Sequence, residues 1–153
     1  MEKAELVAAF EELLRERLER LRAEAGAARS GTRVDGSHRP ANRGERAAVT
    51  SQGYLALGLG KRIEALEADL GLLEQVPAGP RTRVGPGALV EVEEDEVRRL
   101  LILPGGSGDR VAGVVVVSPR SPLARALAGA EAGEVVELED EDEERELEVL
   151  SVC

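Results

Sequence analysis

Asp35 and Glu45 are the carboxylates whose setting first suggests chemistry. They lie ten positions apart in Ser30–Arg46, Ser-Gly-Thr-Arg-Val-Asp-Gly-Ser-His-Arg-Pro-Ala-Asn-Arg-Gly-Glu-Arg. Two carboxylates in one loop are what a hard, oxygen-seeking cation needs. The same stretch carries Arg33, Arg39, Arg43 and Arg46, with Arg29 just ahead, so it is the one basic feature of an acidic chain. An exposed acid pair or an arginine-rich loop is equally well explained as solvated surface, and the residues alone leave both readings open. His38, beside Arg39-Pro40, reads as an exposed turn residue. With a single histidine and a single cysteine, Cys153, the chain can build neither a zinc site nor an internal disulfide. Pro104–Asp109 is glycine-rich, but no G-x-x-x-x-G-K-[ST] accompanies it, so a phosphate cradle has no support. No catalytic constellation is present.

A 17-residue connection rich in turn formers needs anchors, and both flanks supply them. Val7, Phe10, Leu14, Leu18, Leu21, Ala25 and Ala28 recur in steps of three and four through Glu2–Arg29, which has no proline. That spacing predicts one apolar stripe on a helix. Leu55, Leu59, Ile63, Leu66, Leu70 and Leu73 predict a second. Two helices joined by one loop return antiparallel, so the pair reads as a hairpin with a two-stranded coiled-coil seam. Phe10 and Tyr54 are expected in that seam. Gly53, Gly58 and Gly60 each weaken the second helix by about 1 kcal/mol relative to alanine. They read as marks of close helix approach or of a bend.

The formal charge of −10 argues against nucleic acid as the main partner, because phosphate contacts need a net basic surface. Residues 1–75 carry 12 Lys/Arg against 13 Asp/Glu, and residues 76–153 carry 8 against 17. The halves differ in kind, which places a boundary near the Pro/Gly-rich Pro77–Pro86. No apolar run approaches the roughly 20 residues of a membrane span, and the charged start Met1–Glu12 does not read as a signal peptide. A soluble, cytoplasmic protein is expected. Its expected organisation is a hairpin over 1–76 with a tip loop at 30–46, a linker at 77–87 and a sheet domain at 88–153.

In the C-terminal half, Ala88–Val92 and Val97–Leu103 alternate as strands around the turn Glu93-Glu94-Asp95. Pro104–Asp109 reads as a flexible loop and Val111–Val117 as a third strand, its Val114–Val117 run buried on both faces. Two Ser-Pro steps follow, with Ser121 as N-cap and Pro122 at the first helical position. The helix should bury Leu123, Ala126 and Leu127 and stop at Gly129. Glu134–Leu138 and Arg145–Val152 complete the sheet. The six acids Glu139–Glu144 read as a solvated hairpin loop.

The string Ser118–Val136, Ser-Pro-Arg-Ser-Pro-Leu-Ala-Arg-Ala-Leu-Ala-Gly-Ala-Glu-Ala-Gly-Glu-Val-Val, resembles the C-terminal domain of the bacterial Gre-factor (GreA/GreB) family. Both Ser-Pro pairs, Arg125-Ala126-Leu127, Gly129 and Gly133 fall in register. Arg145–Val152 is similar to the last strand of that domain. Ala124 stands where glycine is common in the family, a departure expected to alter helix packing slightly. Gln52–Leu70 resembles the family's second helix, and Arg39–Ala48 the tip-to-helix passage of a divergent branch. The resemblance implies an α+β protein, with an N-terminal antiparallel coiled-coil hairpin followed by a small FKBP-like β-sheet domain with one helix. That fold name raises prolyl isomerisation, but residues 76–153 hold no Phe, Tyr or Trp to line a proline-binding cleft.

The resemblance also implies a partner, bacterial RNA polymerase. Ser118, Pro119, Ser121, Pro122 and Arg125 would dock at the rim of the secondary channel, and the hairpin would bring residues 30–46 near the active site. Transcript-cleavage members carry an Asp-x-x-Glu tip that helps hold a second Mg²⁺. Here Asp35 is followed three positions on by His38, and the next acid is Glu45. Any metal held by Asp35 and Glu45 would be Mg²⁺ shared with the polymerase, and no tightly bound cofactor is expected. Arg33, Arg39 and Arg43 would meet nascent RNA phosphate, the channel wall or a nucleotide. The implied function is a monomeric transcription elongation factor, not itself an enzyme, that modulates elongation and could stimulate cleavage of backtracked transcripts. A channel-binding inhibitor without cleavage stimulation is one alternative, and a coiled-coil interaction module another.

Overall fold

The computed structural model describes residues 2–32, 43–140 and 143–153, with side chains described for all of these except 29–32, 43–52 and 140. Two long helices come first, α1 (Lys3–Thr32) and α2 (Arg43–Glu74). Then follow β1 (Leu89–Glu93), β2 (Val97–Ile102), β3 (Ser107–Val111), β4 (Val114–Val117), α3 (Pro122–Leu127), β5 (Val135–Asp140) and β6 (Glu143–Val152). The helices therefore take up residues 30–32 and 43–46 of the expected tip loop. The chain forms two compact units, one of residues 13–68 and one of residues 1–12 with 69–153.

In the helical unit, Ala25, Ala28 and Leu59 are buried together, with Leu21, Ala56 and Ile63 packed around them. Arg22 donates to Glu67 across the pair at 3.1 Å. Residue 22 thus meets 67 while residues 25–28 meet 59, and the helices run antiparallel. Two seam expectations are corrected. Tyr54 is 73% exposed and Leu55 53%. Tyr54 sits five residues before Leu59, about 140° around the helix, so it points away from the seam. A Cβ built on Gly58 or Gly60 meets nothing within 4 Å, so close approach of α1 does not require these glycines.

The other unit holds the first turns of α1 and the whole β-sheet. Leu6, Phe10 and Leu14 are buried along α1, so its stripe starts at Leu6 rather than at Val7, which is half-buried. The sheet order is β3-β4-β2-β1-β6-β5, with β2 and β4 parallel and the other neighbours antiparallel. Val90, Val92, Leu100, Ile102, Leu147 and Val149 line one face, and α3 covers it with Ala124 and Leu127. Leu123 and Ala126 are only half-buried, which corrects the expected helix face. The departure from glycine at position 124 is a buried methyl in this core. Val84, in the expected linker, is also a core residue at 4% exposure, and its N–H donates to Ala130 O at 2.9 Å.

The expected third strand is in fact two. Val111 pairs with Val114 across Ala112-Gly113, whose φ angles are +49° and +80°. Two successive positive φ values make a tight turn whose twist matches a hairpin. The chain reverses inside an apolar run, and the expected loop at 104–109 supplies the start of β3. The acidic loop is corrected likewise, since β5 and β6 continue to Asp140 and from Glu143, and 141–142 lie outside the described residues. Alternation explains it. Val136 faces the buried Leu147 on the core side, whereas Glu137 opposes Glu146 and Glu139 opposes Glu144 on the open side. Water screens those charges, and an acidic edge strand resists pairing with other chains.

Candidate functional site

The first candidate surface is the turn between β4 and α3, where the sequence motif lies. Val117 ends the strand, its carbonyl accepting from Leu103 N at 3.0 Å. Ser118 Oγ accepts from Arg120 N at 3.2 Å, and Ser118 O accepts from Ser121 N at 3.0 Å. These bonds close the first Ser-Pro step into a turn. Ser121 then caps the helix, its Oγ accepting from Ala124 N at 3.2 Å, and Pro122 fills a position that needs no donor. Gly106 supports the turn from beneath. A Cβ there would lie 2.6 Å from Val117 C and 2.9 Å from Ser118 N, so only glycine lets the β2–β3 connection approach so closely.

This construction fixes the backbone and frees the side chains. Arg120, Pro122 and Arg125 are exposed, and Pro119 is half-buried. Two guanidinium groups on a rigid turn next to exposed proline can pair with carboxylates on a partner. The arrangement suits recognition. It contains no nucleophile with an adjacent base.

A second cluster lies at the turn between β1 and β2. Arg145 of β6 grips Glu94 through two bonds, Nε to Oε1 at 2.6 Å and Nη2 to Oε2 at 2.5 Å. Arg98 Nη2 reaches Glu94 Oε2 at 3.4 Å. The hydrogen bonds from Arg145 lower the Glu94 pKa, partial burial opposes them, and the charges of Arg145 and Arg98 assist. The cluster ties the β1–β2 turn to β6, and its role is structural. Sequence reasoning missed it. Arg98 lies four positions from Glu94, but the principal partner is 51 positions away, and no local pattern announces that pair.

Of the expected tip residues, Arg33, Asp35 and Arg39 lie outside the described residues. Arg43 and Glu45 fall in the first turn of α2, their side chains undescribed. Among the described residues no group of three His, Cys, Asp or Glu side chains could hold a metal, and no helix is long and apolar enough to cross a membrane.

Residues 79–153 match the family described as transcription elongation factor, GreA/GreB, C-terminal. The chain is a divergent Gre-like protein. That match spans the six strands, α3 and the Ser-Pro turn. Transcription elongation factor GreA of Cereibacter sphaeroides strain ATCC 17023 is 38% identical over 95 residues, which are 60% of this chain and 62% of that protein. The corresponding protein of strain KD131 is also 38% identical, over 60% of each. The chain thus spans about 60% of the length of these curated relatives. Among solved structures, GreA factor homolog 1 (Gfh1) of Thermus thermophilus is 23% identical over 94% of each chain, with a TM-score of 0.40. GreA/GreB from Nitrosomonas europaea is 20% identical over 60% of this chain and 78% of that one, with a TM-score of 0.37. Membership of the family rests on the domain match.

Proposed function

We propose that this protein is a Gre-type accessory factor that binds bacterial RNA polymerase at its secondary channel and modulates elongation, without being an enzyme itself. The observation that carries the reading is the Ser-Pro turn, a family motif built as a rigid platform with Arg120 and Arg125 turned outward. Docked through Ser118–Arg125, the protein would present residues 33–42 to the channel. Asp35 and Glu45 are the carboxylates that could join the polymerase's Mg²⁺ chemistry. The excess of arginine around them favours a modulating or inhibitory tip over a cleavage-stimulating one.

The test is RNA cleavage and RNA extension by purified polymerase stalled in a backtracked complex, with and without the protein. Slowed extension that Arg33→Ala, Arg39→Ala and Arg43→Ala relieve is the expected result. Stimulated cleavage that Asp35→Ala or Glu45→Ala abolishes would make it a cleavage factor instead. Arg125→Ala should weaken polymerase binding in either case. Absence of any binding by the unmodified protein would sink the proposal.

A further inference from the structure

The middle of α2 has a face that its own hairpin does not use. Ala56, Leu59 and Ile63 turn toward α1. Tyr54, Leu57, Gly58 and Lys61, at spacings of three and four, share the opposite side. Tyr54 is 73% exposed and Leu57 60%, with Leu55 beside them at 53%. Three of the six large hydrophobic side chains found exposed therefore crowd into four consecutive positions of one helix.

The glycines of the same stretch give an independent reason to look outward. Gly53, Gly58 and Gly60 burden a helix interior with poor helix formers. The expected explanation, close packing of α1, fails at Gly58 and Gly60, where an added Cβ would meet empty space. A helix that carries this cost beside exposed Tyr and Leu has a surface shaped for something that approaches its backbone.

We propose that the Gly53–Arg62 face of α2 is a protein-docking surface whose occupant is an apolar, acid-rimmed surface of RNA polymerase. The inference rests on the polymerase reading above and adds to it a contact remote in sequence from the Ser-Pro turn. Charge selects the occupant. Lys61 and Arg62 are exposed at the edge of the patch, and Arg43–Arg62 carries four basic residues against Glu45 in a chain of net charge −10. An acidic rim complements that segment. A second copy would bring another net −10 to the contact. Nucleic acid would leave Leu55 and Leu57 without use, whereas a protein groove buries both beside Tyr54, a residue type enriched at binding hot spots.

Gly58→Ala provides the deciding test, because its effects on fold and on binding should have opposite signs. Alanine is the better helix former, so the free protein should unfold about 2–4 °C higher. Its affinity for polymerase core enzyme should fall about 10-fold as the methyl group holds the partner off. Tyr54→Ser and Leu57→Ser should each weaken binding at least as much, with unfolding temperature little changed. Gly71→Ala is the control, since Gly71 is also exposed and open on α2 but outside the patch. It should stabilise and leave binding alone. If the unmodified protein binds polymerase and every variant binds equally well, the docking face is refuted while the proposed function stands. If the unmodified protein does not bind, the reading underneath fails and takes this one with it. A dimer in sedimentation equilibrium that Gly58→Ala dissociates would overturn the proposal in favour of a second copy. Loss of affinity for a short single-stranded RNA, with polymerase binding intact, would overturn it in favour of nucleic acid.

Discussion

The β unit and the helical unit hold their exposed residues by different means. In the β unit, eleven buried residues from the strands, α3 and the preceding connection form one cluster, and the Ser-Pro turn is hydrogen-bonded on its margin. In the helical unit the cluster is Ala25, Ala28 and Leu59, two of the three no larger than a methyl group. Apolar stabilisation scales with the area buried, so the hairpin is held weakly per turn and the sheet strongly. The contrast suits the proposed roles. A platform that must present Arg120 and Arg125 in fixed positions benefits from a deep core, whereas a helical arm needs only enough seam to stay paired.

The largest effects test that contrast directly. Leu127→Ala removes a fully buried side chain from the larger cluster and should cost about 3–5 kcal/mol in urea unfolding. Leu59→Ala, facing alanines, should fall at the lower end of the range for such changes, about 2 kcal/mol. Equal losses would break the comparison.

The next effect concerns the Glu94 clamp, which belongs to the β unit alone. The folded pKa of Glu94 lies below its ordinary value because Arg145 hydrogen-bonds its ionised form. Its contribution is therefore fully present above the unfolded pKa, about 4.3, and is lost as pH falls through the lower folded value. Glu94→Gln should be less stable than the unmodified protein at pH 7, and the gap should close by about pH 3. A gap that persists in acid would show that the ion pair is not its source.

The smallest effect lies at the acidic edge. Glu137 and Glu146 face each other across β5 and β6, and like charges directly opposite are destabilising. Glu146→Lys should stabilise by about 0.5 kcal/mol at low salt, and added salt should shrink that gain. The helical unit should show no matching response when its unfolding is followed separately.

Much of this was legible in the residues. The stripes that place Phe10, Leu14, Leu18, Ala25, Ala28 and Leu59 follow from helical periodicity. Ser121 with Pro122 announces a helix start, and Gly129 its end. Those features act over a few positions, so the chain's own order determines them. Other features depend on residues distant in sequence. The β3–β4 reversal at Ala112-Gly113 was hidden because the valines on both sides read as one strand. The Glu94–Arg145 pair exists only once β6 lies beside β1. The exposure of Tyr54 could not be read from its type, since an aromatic residue beside an apolar stripe looks like seam until the partner helix picks its face. Local periodicity and capping are written along the chain, whereas which face is covered, and by what, is settled only when the elements pack.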